Sequence, residues 1–242
     1  MRIDAGNLGH KELNDTVRNS ADREIIIDNC CGTRYIAAGM DGKKITINGV
    51  AGNALGCYLD GCEIYVNGNT QEATGDTMNK GAIYVNGNCG DATGYGMRGG
   101  RIYIKGNSGY RSGIHMKSYK DKIPVVIIGG SAGSFLGEYQ AGGIIVVLGV
   151  NTQSDSIVGN YCGTGMHGGK MFLRCALEDL PHNLPKQVVA RVADENDISE
   201  IIPYLKEYCE AFDENIDYIL SENFVILTPD TKNPYKQLYT YS

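Results

Sequence analysis

Two stretches of this chain have the glycine spacing that can hold a phosphate. Gly94-Tyr95-Gly96-Met97-Arg98-Gly99 and Gly163-Thr164-Gly165-Met166-His167-Gly168 both fit G-x-G-x-x-G. That pattern binds a dinucleotide only when a strand precedes it, a helix opens within it and an acidic residue follows about 20 positions on. Here each copy runs straight into another β pattern, at 101–105 and 170–174. Nucleotide binding is therefore not expected.

The other reactive side chains are equally scattered. The eight cysteines contain no C-x-x-C pair, and Cys57 and Cys62 are too far apart in sequence for one. They read as buried, reduced thiols rather than as a metal site. Paired carboxylates would suit glycoside chemistry. Asp76 and Asp91, however, occupy different positions of a repeat, and Asp76 and Glu138 share a position only across two intervening copies. The four histidines fall at 10, 115, 167 and 182, with no common position. No catalytic or metal-ligating residue is assigned.

What positions these residues is a repeat. Ile45, Ile64, Ile83 and Ile102 follow one another at steps of 19 residues, each opening an alternating strand such as Ile64-Tyr65-Val66. After a step of 24, Val126 and Ile145 resume the beat. The turn glycines keep time as Gly49, Gly68, Gly87, Gly106, Gly130 and Gly149, and again as Gly56, Gly75, Gly94, Gly113 and Gly137. A fixed period near 20 residues marks a stacked-repeat architecture. Leucine-rich repeats lack their leucines here, and hexapeptide coils need multiples of six. The expectation is an all-β, single-stranded right-handed parallel β-helix of about seven coils, with helical segments capping both ends.

Register sharpens this. Leu59, Met78, Met97, Met116 and Met166 form one apolar column. Ala51, Thr70, Cys89, Ser108 and Ala132 form a column of small residues, as a tight corner requires. Positive φ is expected at the turn glycines, and hydrogen bonding between copies at the flanking asparagines. Alternation turns Ile64 and Val66 inward, so Tyr65, Tyr84 and Tyr103 stack outward, continued by Ile127 and Val146. That stripe is the candidate interface, to be covered by a partner, a second copy or the C-terminal segment.

Boundaries are expected at 1–23 (a helical cap, with a helical pattern from His10 to Ala21), 24–178 (the repeats) and 179–242 (a helical and extended cap). The last contains an amphipathic run from Asp194 to Phe212 that Pro203 could kink or split. A net charge of −6 without a Lys/Arg cluster argues against nucleic acid and against a polybasic membrane anchor. The beginning Met1-Arg2-Ile3-Asp4 has no apolar leader, and the longest apolar run, 144–148, is far too short to span a bilayer. A cytoplasmic protein is expected.

The phrases Cys57-Tyr-Leu-Asp-Gly61, Gly94-Tyr-Gly-Met-Arg-Gly-Gly100, Gly109-Tyr-Arg-Ser-Gly-Ile-His-Met-Lys117, Gly133-Ser-Phe-Leu-Gly-Glu-Tyr139 and Gly163-Thr-Gly-Met-His-Gly-Gly169 resemble the GXGXG domain of glutamate synthase, especially its stand-alone archaeal-type form. The likeness runs from about 29 to 174, and is looser over 224–236, with Pro229 and Tyr235. It implies a non-catalytic domain that braces a glutamine amidotransferase subunit against an FMN-binding glutamate synthase subunit and helps enclose the ammonia passage. FMN and the iron–sulfur cluster are then expected on the partner, with no cofactor in this chain and no activity alone. No N-terminal catalytic cysteine matches, since residue 2 is Arg and Cys30 follows a helix and a strand. Formylmethanofuran dehydrogenase has a subunit with similar glycine repeats and is the alternative. A free-standing carbohydrate-active β-helix fits least.

Overall fold

The computed structural model describes residues 1–150, 152 and 156–230. Tyr235 lies outside the described residues. In chain order the elements are β1 (Arg2–Asp4), α1 (His10–Asn19), β2 (Glu24–Thr33), β3 (Lys44–Ala51), β4 (Asp60–Asn67), β5 (Lys80–Val85), β6 (Arg101–Ile104), β7 (Val125–Ile128), β8 (Ala141–Val147) and β9 (Gly168–Leu173). Then come β10 (Val188–Val192), α2 (Glu195–Phe212), α3 (Ile216–Leu220) and β11 (Val225–Pro229).

The 19-residue beat appears directly as strand register. Ile45 pairs with Ile64, Ile64 with Ile83 and Ile83 with Ile102, all in parallel. The small-residue column forms its own line of bridges, Ala51 to Thr70 to Cys89 to Ser108 to Ala132. Its polar members find partners within the column or four residues on. Thr70 donates to the Cys89 sulfur at 3.1 Å, and the Ser108 and Ser112 hydroxyls lie 2.6 Å apart. Leu59, Met78, Met97, Met116 and Met166 are all fully buried. The extra residues between Met116 and Val125 form a small excursion closed by an antiparallel bridge between Tyr119 and Lys122.

The fold class needs correcting. In place of the expected all-β, right-handed parallel β-helix with end caps, the strands make one open sheet of eleven, ordered β1-β2-β3-β4-β5-β6-β7-β8-β9-β11-β10. It is parallel through β9, and β11 and β10 then add on antiparallel. An 18-residue helix, α2, packs its apolar side on the outer sheet face rather than on an end. A mostly parallel open sheet with a helix layered on it is an α/β-type arrangement. The physical reason lies in the outward positions. Val125, Ile127, Val146 and Phe172 point away from the repeat interior yet are apolar and fully buried. Strands apolar on both faces are those of a sheet covered on both sides. A period fixes which residues pair, and says nothing about what lies on the far face.

Helix α2 is well specified locally. Asp194 caps it, accepting hydrogen bonds from the Asn196 and Asp197 N–H groups at 2.9 and 3.0 Å, while Asp197 accepts from Asp194 N–H at 2.9 Å. This reciprocal box satisfies donors that a helix start otherwise leaves free. Pro203 neither ends nor splits the helix, which runs through it to Phe212. At the other end α1 buries Leu13 and Val17, the two apolar positions its sequence offers.

Candidate interaction surface

The tyrosine stripe is in register, Tyr65 beside Tyr84 beside Tyr103. The rings stack with centroids 4.6 and 5.2 Å apart. Helix α2 then lies across it. Tyr84 donates to Glu207 Oε1 at 2.7 Å, and Arg101 Nε stands 3.2 Å from Glu207 Oε2. Tyr103 is fully buried. The Tyr103 hydroxyl lies near Glu207 but makes no hydrogen bond of acceptable geometry. Burial first, and then the Glu207 carboxylate, push both phenols far above their ordinary pKa. Of the three, Tyr65 alone stays half-exposed, with the Lys44 ammonium 5.2 Å over its ring.

Several of the candidate reactive groups are engaged in structure. Burial pushes the thiols of Cys89 and Cys162 up to about 12 and those of Cys175 and Cys209 up to about 11. Thiols held protonated in this way are poor nucleophiles and poor metal ligands. Asp76 accepts from the Thr77 hydroxyl at 2.7 Å, and Glu138 pairs with Arg111 Nε at 2.7 Å. In the first G-x-G-x-x-G stretch the N–H groups of Gly94 and Gly96 donate to the Thr74 and Ile114 carbonyls of flanking repeats, at 2.7 and 2.8 Å. Those donors are therefore not free for a phosphate.

The turn glycines fall into two kinds. Gly49, Gly56, Gly68, Gly75, Gly94, Gly113, Gly137 and Gly149 have positive φ. Gly87, Gly106 and Gly130 do not, and sit where a Cβ would strike the side-chain oxygens of Asn69, Asn88 and Asn107. Those oxygens accept the backbone N–H of Asn88, Asn107 and Ser131, each at 2.8 Å. The asparagines thus hydrogen-bond between copies, but mainly amide to backbone. Amide to amide occurs where Asn67 donates to Asn48 at 2.7 Å.

Opposite the sheet lies the surface that the residues alone do not announce. Each repeat crosses it with left-handed conformations at every second residue, as at Ala54, Gly56 and Tyr58 (φ 60°, 62° and 56°). Non-glycine residues hold this conformation at about 1 kcal/mol or more each. They keep it because their N–H groups bond to the next copy, Ala54 to Glu72 O at 2.9 Å and Tyr58 to Asp76 O at 2.7 Å. The same two columns carry Arg111, Phe135, His115 and Tyr139 at positive φ. Side chains here stand outward, and Tyr58, Tyr95, Tyr139 and Tyr161 are 57%, 41%, 39% and 50% exposed. His115 stacks on Tyr139 at 5.2 Å, and Arg111 lies 4.8 Å over Tyr110. Exposed aromatics grouped on one face are what a protein interface uses. The signal available was Tyr58, His115, Phe135, Tyr139 and Tyr161, each two positions from a turn glycine (Gly56, Gly113, Gly137 or Gly163).

The repeats thus hold Cys89, Asp76 and Glu138 in their own packing and leave Tyr58, Tyr95, Tyr139 and Tyr161 exposed on one face. The chain belongs to the GXGXG motif family, whose model matches residues 9–230; this family comprises C-terminal domains of the glutamate synthase large chain. It is similar to an uncharacterised protein of Methanocaldococcus jannaschii, 40% identical over 256 aligned residues that cover 98% of this chain and 95% of that one. Among solved structures it resembles a chain of the formyltransferase/hydrolase complex (FhcABCD) from Methylorubrum extorquens in complex with methylofuran. That match has a TM-score of 0.66 at 19% identity, covering 96% of this chain and 92% of the other, a likeness of fold. Among the described residues no helix is long and apolar enough to cross a membrane.

Proposed function

We propose that this chain is a non-catalytic structural subunit of a multi-subunit complex, and that the complex is of the glutamate synthase type. It braces a glutamine amidotransferase subunit against an FMN-binding synthase subunit and helps wall the passage between them. FMN and the iron–sulfur cluster belong to the partner. The observation that carries this reading is the GXGXG match across 9–230. It is supported by candidate thiols and carboxylates that serve the chain's own packing, such as buried Cys89 and the Glu138 paired with Arg111.

The fold likeness to a chain of the formyltransferase/hydrolase complex favours a second reading, a scaffold for a formyl-transferring assembly. Affinity purification of the tagged chain from its native cells separates the two. The glutamate synthase reading expects flavin and iron–sulfur absorbance in the retained complex, with glutamate formed from glutamine, 2-oxoglutarate and a reductant, and a colourless, inactive chain when expressed alone. Capture of hydrolase and formyltransferase chains without flavin supports the second reading. Glutamate formation by the isolated chain would overturn both.

A further inference from the structure

The open aromatic face is flanked by opposite charges at its third repeat, while the signs are the other way round at the start of the stack, where exposed Arg34 stands on one edge and exposed Asp41 and Asp60 on the other. Along one edge of the second and third repeats stand Glu72 and Asp91, both exposed. Along the other edge of the third and fourth stand Arg98 and Lys117, also exposed. Backbone bonds fix these columns. Ala54 and Ala73 donate to the Glu72 and Asp91 carbonyls, and Arg98 and Lys117 donate to the Met78 and Met97 carbonyls. Between the margins lie Tyr58, Tyr95, His115 and Tyr139. Among the described residues none of the four charged side chains is in an ion pair, whereas Arg111, at the centre, is already bound to Glu138.

A face whose two edges carry opposite charges within one repeat, as Asp91 and Arg98 do, is complementary to itself at that repeat. A twofold axis along the stack, in the plane of the face, lays each edge of one copy on the opposite edge of the same repeat in the other. At the third repeat Asp91 then meets Arg98 twice, once in each direction, and the tyrosines close the middle. Isologous pairing of this kind is the commonest route to a dimer. Tyrosine is favoured in such centres because it buries area while keeping a polar tip.

We infer that two copies of this chain pair through this face, with the Asp91–Arg98 contacts setting the register. The inference goes beyond the complex-subunit reading and does not depend on which complex is built. The test is sedimentation equilibrium on the full chain purified alone, with Asp91→Lys, Arg98→Glu and an equimolar mixture of the two. The wild type should be a dimer that weakens with salt. Each reversal sets like charges opposite one another and should weaken pairing at least about tenfold. In the mixture every reversed side chain faces its opposite sign, so dimer mass returns.

Asp91 also accepts the Tyr110 N–H at 2.8 Å. If Asp91→Lys lowers the melting temperature, Asp91→Asn, which keeps an acceptor oxygen for that N–H, takes its place in the mixture and should restore part of the dimer mass that Arg98→Glu loses. A monomeric wild type, a dimer indifferent to both reversals, or a mixture of folded variants that stays monomeric would each overturn the inference. So would a monomer that uses Tyr95 to bind a different chain.

Discussion

Tyr103 and Tyr58 are products of the same repeat, and the molecule treats them oppositely. Tyr103 points out of the sheet and is sealed under α2, whereas Tyr58 stands 57% exposed on the turn-built face. Helix α2 makes the difference. It brings Ile201, Leu205, Tyr208 and Phe212 onto the outward residues of the later strands, so one side becomes core. Nothing among the described residues covers Tyr58 in that way. A repeat that writes aromatic columns on both faces leaves the choice between core and interface to whatever segment lies outside the repeat.

The widest gap between the faces should appear on truncation. Tyr103→Ala removes a fully buried ring and should cost about 3–5 kcal/mol of stability. Tyr103→Phe should be neutral or slightly stabilising, because the hydroxyl it deletes has no partner. Thermal melts with chemical denaturation measure both. A cost for Tyr103→Ala below that of an ordinary surface change would break the comparison, since the ring would then not belong to the core.

Next in size are the turn glycines, which distinguish obstacles of backbone from open space. At Gly68 φ is 153° and a Cβ would run into the Gly49 carbonyl, which cannot yield. At Gly96 φ is 59°, and the nearest atom a Cβ would meet is Thr77 Oγ1 at 3.6 Å. Gly68→Ala should therefore cost more than about 2 kcal/mol and Gly96→Ala about 1 kcal/mol. Equal losses would mean that backbone strain alone sets the cost.

How far the chain could be read in advance follows the same division. Interactions that repeat with the period were legible: the register of Ile45 through Ile102, the buried methionines, and the bridge column through Cys89. Features fixed once, outside the repeat, were not. The covering of Tyr84 and Tyr103 depends on α2, whose own pattern shows an apolar side without naming the surface it meets. The antiparallel strands β10 and β11 sit in a segment with no periodic signal. The sheet-with-helix architecture was therefore misread as a capped β-helix. Positive φ at Arg111, Phe135 and Tyr139 was hidden for a different reason. Left-handed backbone is read from glycine, and here hydrogen bonds to adjacent copies hold other residues in it.

If α2 is what turns one face into core, its seat should be sensitive to acid. Arg191 binds Asp197 through two hydrogen bonds, at 2.5 and 2.9 Å, and holds its carboxyl below the usual range. A carboxyl with its folded pKa lowered stabilises the fold fully above the unfolded value of about 3.9. That contribution is lost as pH falls through the still lower folded value. The melting temperature should thus drop more steeply below about pH 4 in the wild type than in Asp197→Asn. At neutral pH Asp197→Ala should cost about 1–2 kcal/mol, the worth of a helix cap. Amide exchange should show α2 loosening before β3 to β6. Parallel acid profiles for the two proteins would count against this pair as the anchor.

The smallest effect is expected on the open face, and it is the one that tells interface from core. Tyr58→Ala keeps the left-handed backbone at that position, which its N–H bond to Asp76 O fixes, and removes a ring that is mostly in water. The stability of the isolated chain should change by less than about 0.5 kcal/mol. Buried in an assembly, the same ring becomes a contact whose loss costs affinity, because tyrosines at the centre of an interface carry a large share of its binding energy. The expected pattern is thus an unchanged melting curve with weaker association, the reverse of Tyr103→Ala. A fall in stability at Tyr58 without any change in association would place this ring with the core, and the two faces would then not differ in kind.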